Sequence, residues 1–482
     1  MQTALMPVRD WAVAEFGGPE LHDQRRSRRL IEVAARVGAN PQGTLPQSFG
    51  VPCELQAGYR LLETDDVTRE AIMAPHITRV REECRQPGDY LFVEDTTELN
   101  FTSHPAAEEL GLIGDGGGRG MFVHSSLVLQ ISCWNVEQEP QVTVCGLAAQ
   151  DCWIRPEHKA AAQEKKAKRL NRARESQRWG SSVEEIGPPP GETRYTFVAD
   201  READIWETIG RCQDNQWDFI VRANQARALT DQDGSVFDAV AAAPMVARFN
   251  LSLRSRPRRV TRDKKTGKPK RVRKAHGPRT VELEVRSCTV RLRAPWRPGG
   301  AVEPRTVSIV EAKETNPAPG DDPIHWVLLT SWPCRTEQEA MRVVKAYSRR
   351  WLIEEYHKAL KTGTRIEDSQ LRSGQRIKAL LGIMAVVAVR LLNRKLLATT
   401  LPNEAVDAQE VGEATLAILE GTFGHPQEGW TNRNVLRCIA RLGGFIGRKS
   451  DGEPGWITIW RGWQRLLPMI EGFNLARGER CG

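Results

Sequence analysis

Two aspartates stand where strands are expected to end. Asp95 closes the apolar run YLFVED (residues 90–95), and Asp200 closes TRYTFVAD (residues 193–200). Short apolar runs of this kind read as buried strands. Adjacent strand ends can bring two carboxylates close enough to share a metal ion. Hard oxygen donors with no nearby His or Cys favour Mg²⁺ or Mn²⁺. A third acid lies far along the chain in EQEAMRVVKAYSRRWLIEEYHKALKTG (residues 337–363), which reads as one long helix. At about 100° per residue, Tyr347, Arg350, Glu354, Lys358 and Lys361 fall within roughly 80° and share one face. That face holds one acid among cations and a phenol. One reading is a metal-binding acid surrounded by groups that hold phosphates. The other is a solvated face with i,i+4 pairs such as Glu354–Lys358.

The elements that must position these residues follow from local pattern. The first stretch, to about Glu70, reads helical, with Asp23 capping a helix whose stripe is Leu30, Val33, Ala34 and Val37. Arg25, Arg26, Arg28 and Arg29 crowd its first turns, where positive charge opposes the helix dipole. Helix stability alone does not account for them. A strand-rich region follows: YLFVED, HSSLVLQISCW (124–134) and PQVTVCGLAAQ (140–150), the last two joined by a hairpin-length loop. TRYTFVAD then leads into READIWETIGRC, read as a helix, and the strand WDFIVRAN (217–224). The strand–helix rhythm pauses over about 225–323, where short alternating strands surround a basic run, as in a β-rich insertion. HWVLLTS (325–331) is a strand leading into the long helix, and the remainder from about Gly374 is helical.

Composition narrows the class without naming it. The 482 residues call for two or three domains, and 40% hydrophobic with 27% charged residues is globular composition. A net charge of +8 and an isoelectric point near 9.0 weakly favour polyanionic partners. The N-terminus lacks a basic segment followed by an apolar core, so no secretory signal is read. The longest apolar run, Ala379–Val389, is too short to span a bilayer. Ten cysteines are scattered with no C-x-x-C pair and no Cys/His metal spacing. The pattern disfavours a membrane protein, a disulfide scaffold and a secreted hydrolase, and a reduced cytoplasmic setting is expected.

The spacing Y-x2-R-x3-E-x6-K, met by Tyr347, Arg350, Glu354 and Lys361, resembles the signature of insertion-sequence-four family transposases. The whole chain resembles the Tn-five type of that group. The carrying blocks are FVEDTTELNF, AAEELG, RGMFVHSSLVL, DCWIRPE, DREADI, RRWLIEEYHKALKTG, ARLGGF and WRGW. The resemblance implies an α/β multidomain protein whose RNase H-like catalytic core is interrupted by a β-rich insertion, with helical ends. It implies a catalytic and metal-binding triad of Asp95, Asp200 and Glu354, with two Mg²⁺ ions for which Mn²⁺ can substitute. Glu355 competes for the third place, but it turns about 100° away from Glu354 and leaves the shared face. The implied activity is DNA transposition by cut and paste: end nicking, hairpin formation and resolution, and strand transfer. The alternatives are a nuclease of the same fold without strand transfer, and a non-cutting DNA-binding inhibitor. Translation from Met73 would make a form without the N-terminal arginines.

By the same resemblance Trp326 stacks a flipped base, Trp351 fills the vacated space, and Tyr347, Arg350 and Lys361 hold the displaced phosphate. A buried strand aromatic is the plain alternative for Trp326. Lys358 and Arg222 are further expected DNA contacts. Arg25, Arg26, Arg29 and Arg60 fall where the family reads the terminal inverted repeat, with a solvated basic face as the alternative. The run Arg254–Arg279 and the cluster Lys165, Lys166, Lys168, Arg169, Arg172 and Arg174 are candidate phosphate contacts or solvated loops. Trp456, Trp460 and Trp463, at i, i+4 and i+7, read as packed core with part of the stripe at a subunit interface. His124 and His357 are read as structural. The expected division is an end-binding domain over 1–70, a core over 71–373 with its insertion at about 225–323, and a dimerisation domain over 374–482. The expected partners are double-stranded DNA, both element ends and target, and a second copy in the synaptic complex. A nucleoid-associated bacterial protein is the expected setting.

Overall fold

The computed structural model describes residues 6–478 apart from 19–20, 115–116, 135–139, 156–174, 254–258, 263–268, 274–278, 297–301, 318–322, 407 and 449–450. The cationic cluster within 165–174 and most of the basic run 254–279 therefore lie outside the described residues. Helices α1 (Val8–Phe16), α2 (Gln24–Ala39), α3 (Pro52–Leu62) and α4 (Arg69–Glu83) open the chain. Helix α2 starts because the Asp23 carboxylate accepts from the Arg25 N–H at 2.7 Å, satisfying one free donor of the first turn. Its stripe Leu30, Val33, Ala34 and Val37 is buried in one core with Trp11 and Phe16 of α1.

The strands are β1 (Gly88–Asn100), β2 (Gly111–Ile113), β3 (Gly118–Cys133), β4 (Gln141–Trp153), β5 (Thr193–Ala199), β6 (Asp218–Arg222), β7 (Met245–Leu253), β8 (Arg259–Arg262), β9 (Pro269–Arg273), β10 (Arg279–Leu292), β11 (Arg305–Glu314) and β12 (His325–Thr330). One sheet runs β4-β3-β1-β5-β6-β12-β11-β10-β7, with the short β2 also on β3. Pairs β1–β5 and β5–β6 are parallel and the other neighbours antiparallel. Strands β7, β10 and β11 thus continue the central sheet across β12, while β8 and β9, among the described residues, pair only with each other. Central strands such as β3 and β5 are buried along most of their length because both faces are covered, with His124, Ser125, Ser126 and Thr196 among their buried residues.

Helix α5 (Trp206–Asp214) follows β5, after a short 3-10 turn at Arg201–Ala203 where a single helix was expected. After β12 the expected single helix over 337–363 is instead three segments: α6 (Glu337–Ser348), α7 (Trp351–Lys358) and a π turn, Ala359–Gly363. At the first junction the amides of Arg349, Arg350, Leu352 and Ile353 bond carbonyls three residues back, at 2.9–3.2 Å. Such a turn advances about 120° per residue. The π turn then widens, with Thr364 N–H bonding the Ala359 carbonyl at 3.0 Å. Uniform angular spacing therefore fails across this segment: Tyr347 is buried, while Glu354 and Lys358 are exposed.

The C-terminal elements are α8 (Gly374–Thr400), α9 (Glu413–Phe423), α10 (Asn432–Leu442) and α11 (Trp456–Ala476). The apolar run Ala379–Val389 is buried on every side of α8, packed by protein. Among the described residues no helix is long and apolar enough to cross a membrane. The glycines of ARLGGF and WRGW have a plain reason. A Cβ on Gly443 would stand 1.9 Å from the Thr458 carbonyl oxygen, and one on Gly462 1.7 Å from that of Ile439. Only glycine lets α10 and α11 approach this closely. Trp456 and Trp460 are buried and stacked at 4.8 Å, with Trp463 half-buried beside them.

Candidate active site

Parallel register brings the two aspartates together. Val93 of β1 pairs with Val198 of β5, so Asp95 and Asp200 are each two residues beyond a paired position. Strand β5 ends at Ala199, whereas β1 continues to Asn100 because β3 stays paired with it. The departure of β5 opens the sheet beside Asp95. The Asp95 Oδ1 accepts from Thr96 N–H at 2.9 Å, and the Asp200 Oδ1 accepts from Glu202 N–H at 2.8 Å, capping the 3-10 turn.

Arg350 joins the third acid to this pair. One guanidinium nitrogen pairs with Glu354, and another lies 3.7 Å from Asp95 Oδ2. Burial opposes its charge, but Tyr347, Glu354, Asp95 and Asp200 outweigh burial and raise its pKa. Arg350 is therefore the common counter-ion of all three acids. Even so, the Asp95 carboxyl is pushed up to about 6, first by burial and then by Asp200 and Glu354, against the pull of Arg350. One guanidinium does not neutralise three carboxylates, and a further cation has a place here. Among the described residues no three His, Cys, Asp or Glu side chains stand close enough to hold a metal ion as they are, and Glu354 is paired with Arg350. The chemistry of the donors suits a hard divalent ion.

Tyr347 is buried on the same side and bonds the guanidinium groups of Arg350 and Arg222. Its ring meets Trp326 edge-on at 5.2 Å. Arg222 Nη2 also donates to the His325 carbonyl at 2.7 Å. The fold thus groups Asp95, Asp200, Tyr347, Arg350, Glu354, Arg222 and Trp326. Trp326 is half-buried and packs against the main core. Trp351 is half-buried and packs on the main core. Lys361 is close enough to His357 to affect its titration. Lys358 departs from its expected pairing. It bonds Glu355 at 2.6 Å, and Arg350 takes Glu354 in its place.

Four groups support the site: Glu94, which the sequence did not single out, His124 and His357, read there as structural, and Glu355, read there as turned away from the shared face. Glu94 is fully buried and points the opposite way from Asp95, as strand alternation requires. It accepts from Gly180 N–H at 3.2 Å and from the Ser182 hydroxyl, and lies 3.0 Å from His124 Nε2. His124 Nδ1 meets Thr96 Oγ1 at 2.8 Å, locking the residue after Asp95. His357 is buried with Nδ1 3.9 Å from Asp95 Oδ2, and burial lowers its pKa to about 3, so it is neutral. Glu355 faces away from the acids. It accepts from Lys358, Lys395 (2.6 Å) and Trp456 Nε1 (2.7 Å). Burial opposes its ionisation, yet the two lysines hold its pKa at about 2. The adjacent acids EE could have signalled two roles; which partner each meets could not be read locally.

The N-terminal arginines differ from one another. Arg25 and Arg60 are exposed and Arg29 partly so, while Arg26 pairs with Asp66 at 2.9 Å. Arg279, at the end of the basic run, pairs with Glu314 at 2.6 Å.

Three family models match the chain. One described as transposase DNA-binding covers residues 8–67. One described as transposase DDE domain covers 169–390, which includes Asp200 and Glu354 and begins beyond Asp95. One described as transposase Tn5 dimerisation domain covers 386–480.

Proposed function

The chain belongs to the DDE transposases of the Tn5 type, and from that membership we propose that it moves a DNA element by cut and paste. Its mixed α/β sheet with helical ends fits the RNase H-like core that a DDE domain implies. The observation that carries the reading is the meeting of Asp95, within β1, and Asp200, just past the end of the parallel strand β5, with Arg350 linking Asp95 to Glu354. The proposed division is the one expected above: end binding over 1–70, catalysis over 71–373, dimerisation over 374–482. The partners are the element's ends, target DNA and a second copy of the chain.

Asp95, Asp200 and Glu354 would hold two divalent ions. When bound, these ions supply Lewis-acid activation of a water or 3′-hydroxyl and stabilise the leaving oxygen. The protein's own part is positioning and charge. Arg350 keeps three acids together before DNA arrives, and a scissile phosphate offers it a better partner than Glu354, freeing that carboxylate. Tyr347 and Lys361 then orient the phosphate, and the half-buried Trp326 is the aromatic ring on which a displaced base would stack, offsetting part of the unstacking cost. Four steps at one site follow: nicking, hairpin formation by the freed 3′-hydroxyl, hairpin opening and joining to target.

The test is cleavage of a labelled duplex carrying the element's end and flanking DNA, with Mg²⁺, by wild type and Glu354→Ala. A hairpin-ended product from wild type alone supports the proposal. Nicks without hairpins would make the chain a nuclease and remove the flipped-base role from Trp326. Specific binding without cutting by either protein would leave a DNA-binding protein only.

A further inference from the structure

Gln42 follows α2 in the chain and is almost wholly buried, at 6% exposure. Its Nε2 donates to the carbonyls of Thr362 at 2.5 Å and Gly363 at 3.1 Å, and its Oε1 accepts from Gln464 Nε2 at 2.9 Å. The partners decide the orientation of the carboxamide: turned over, its oxygen would face two carbonyl oxygens. Those carbonyls belong to the π turn that carries Lys361. A helix end leaves its last carbonyls without intrahelical donors. Thr364 Oγ1 serves the Leu360 carbonyl at 2.6 Å, and Gln42 serves the next two it can reach. On its other side the turn is pressed against α11, since a Cβ on Gly363 would stand 2.7 Å from Trp460 Cζ2. The N-terminal helices, the C-terminal helix and the end of the catalytic segment therefore meet at one carboxamide.

We infer that Gln42 is a positioning residue for the catalytic segment: its carboxamide holds the π turn closed and so sets where Lys361 and, through α7, Glu354 stand. A π turn is an uncommon backbone form, found mostly where function requires it, and its neighbours must hold it. A fully satisfied buried polar contact selects one arrangement where apolar packing would tolerate several. What Lys361 and Glu354 do rests on the transposase reading; the contact that places them does not.

Two measurements on the full-length chain test this. The first is hydrogen exchange at the Thr364 amide without DNA. The second is the single-turnover cleavage rate on bound end DNA, with Kd for the same DNA measured separately. Gln42→Ala is expected to speed exchange at Thr364 and slow cleavage about ten- to a hundredfold, with Kd changed no more than about twofold. Gln464→Ala, which loses only the orienting partner, is expected to do the same more weakly. Unchanged exchange at Thr364 overturns the inference, and so does slow cleavage wholly explained by weaker DNA binding. If Gln42→Ala does not fold, Gln464→Ala decides by the same readouts. A wild type that binds ends but never cuts would end the transposase reading, and exchange at Thr364 would still decide the role of Gln42.

Discussion

At the scale of single residues the site is under-neutralised. Asp95 sits beside two other acids with one shared guanidinium, and its carboxyl titrates near 6 rather than at the ordinary 3.8. The folded state therefore binds that proton more tightly than the unfolded chain. Its ionised form costs stability above about pH 6, on the order of 3 kcal/mol, and the cost fades as pH falls toward 3.8. In chelator, Asp95→Asn is expected to melt at a higher temperature than wild type at pH 7.5. The difference should shrink as pH falls through 6 and vanish below 4. A variant less stable than wild type at pH 7.5 would show that Arg350 already compensates the site. The neutral His357 and the Glu94–His124 pair bracket the same carboxylate, one beside it and one behind it.

At the scale of elements, the catalytic segment is held from behind. Glu355 accepts from Lys358 on its own helix, Lys395 on α8 and Trp456 on α11. Removing one partner of a buried charge cluster leaves the others unpaired. Glu355→Ala is expected to lower unfolding free energy by about 3 kcal/mol in urea titration, with Trp fluorescence as the probe. Glu354→Ala, on the exposed face, should leave the same titration nearly unchanged. Equal losses for the two would show that the neighbouring acids do not have separate roles. The amphipathic pattern could place Glu354 and Glu355 on different faces, but not say which face the C-terminal helices would cover. It also read one helix where a tightened turn and a π turn lie, because residues 349–350 and 359–362 include no Gly or Pro and Gly363 reads only as the helix's end.

At the scale of the whole molecule, charge separates DNA contacts from structural pairs. Arg25 and Arg60 are exposed near the chain's start, whereas Arg26 is paired with Asp66. An arginine that neutralises one phosphate contributes close to one unit to the slope of log K against log salt. Arg25→Ala and Arg60→Ala are each expected to reduce that slope by about 0.9 in end-binding titrations. Arg26→Ala should change it less, because its charge is partly met by Asp66. Unchanged slopes for Arg25 and Arg60 would make theirs a solvated basic face. Strands β7, β10 and β11, within the stretch read as a β-rich insertion, lie in the same sheet as β1, β5 and β6 through β12, while β8 and β9 form a second sheet.

The amino-acid sequence by itself determined that apolar strand runs lead to Asp95 and Asp200, though not that β1 runs on past Asp95, together with the signature spacing through Glu354 and Lys361, the capped helix at Asp23 and the absence of a membrane-spanning run. Each is a local matter of residue type, period or cap, and local rules suffice for it. Tertiary structure alone decided that Arg350 is shared by three acids, that Lys358 turns to Glu355, and that Gln42 closes a turn 320 residues away. These depend on which distant surfaces meet. The parallel register of β1 and β5 and the close approach of α10 and α11 set those meetings, and no spacing along the chain encodes them.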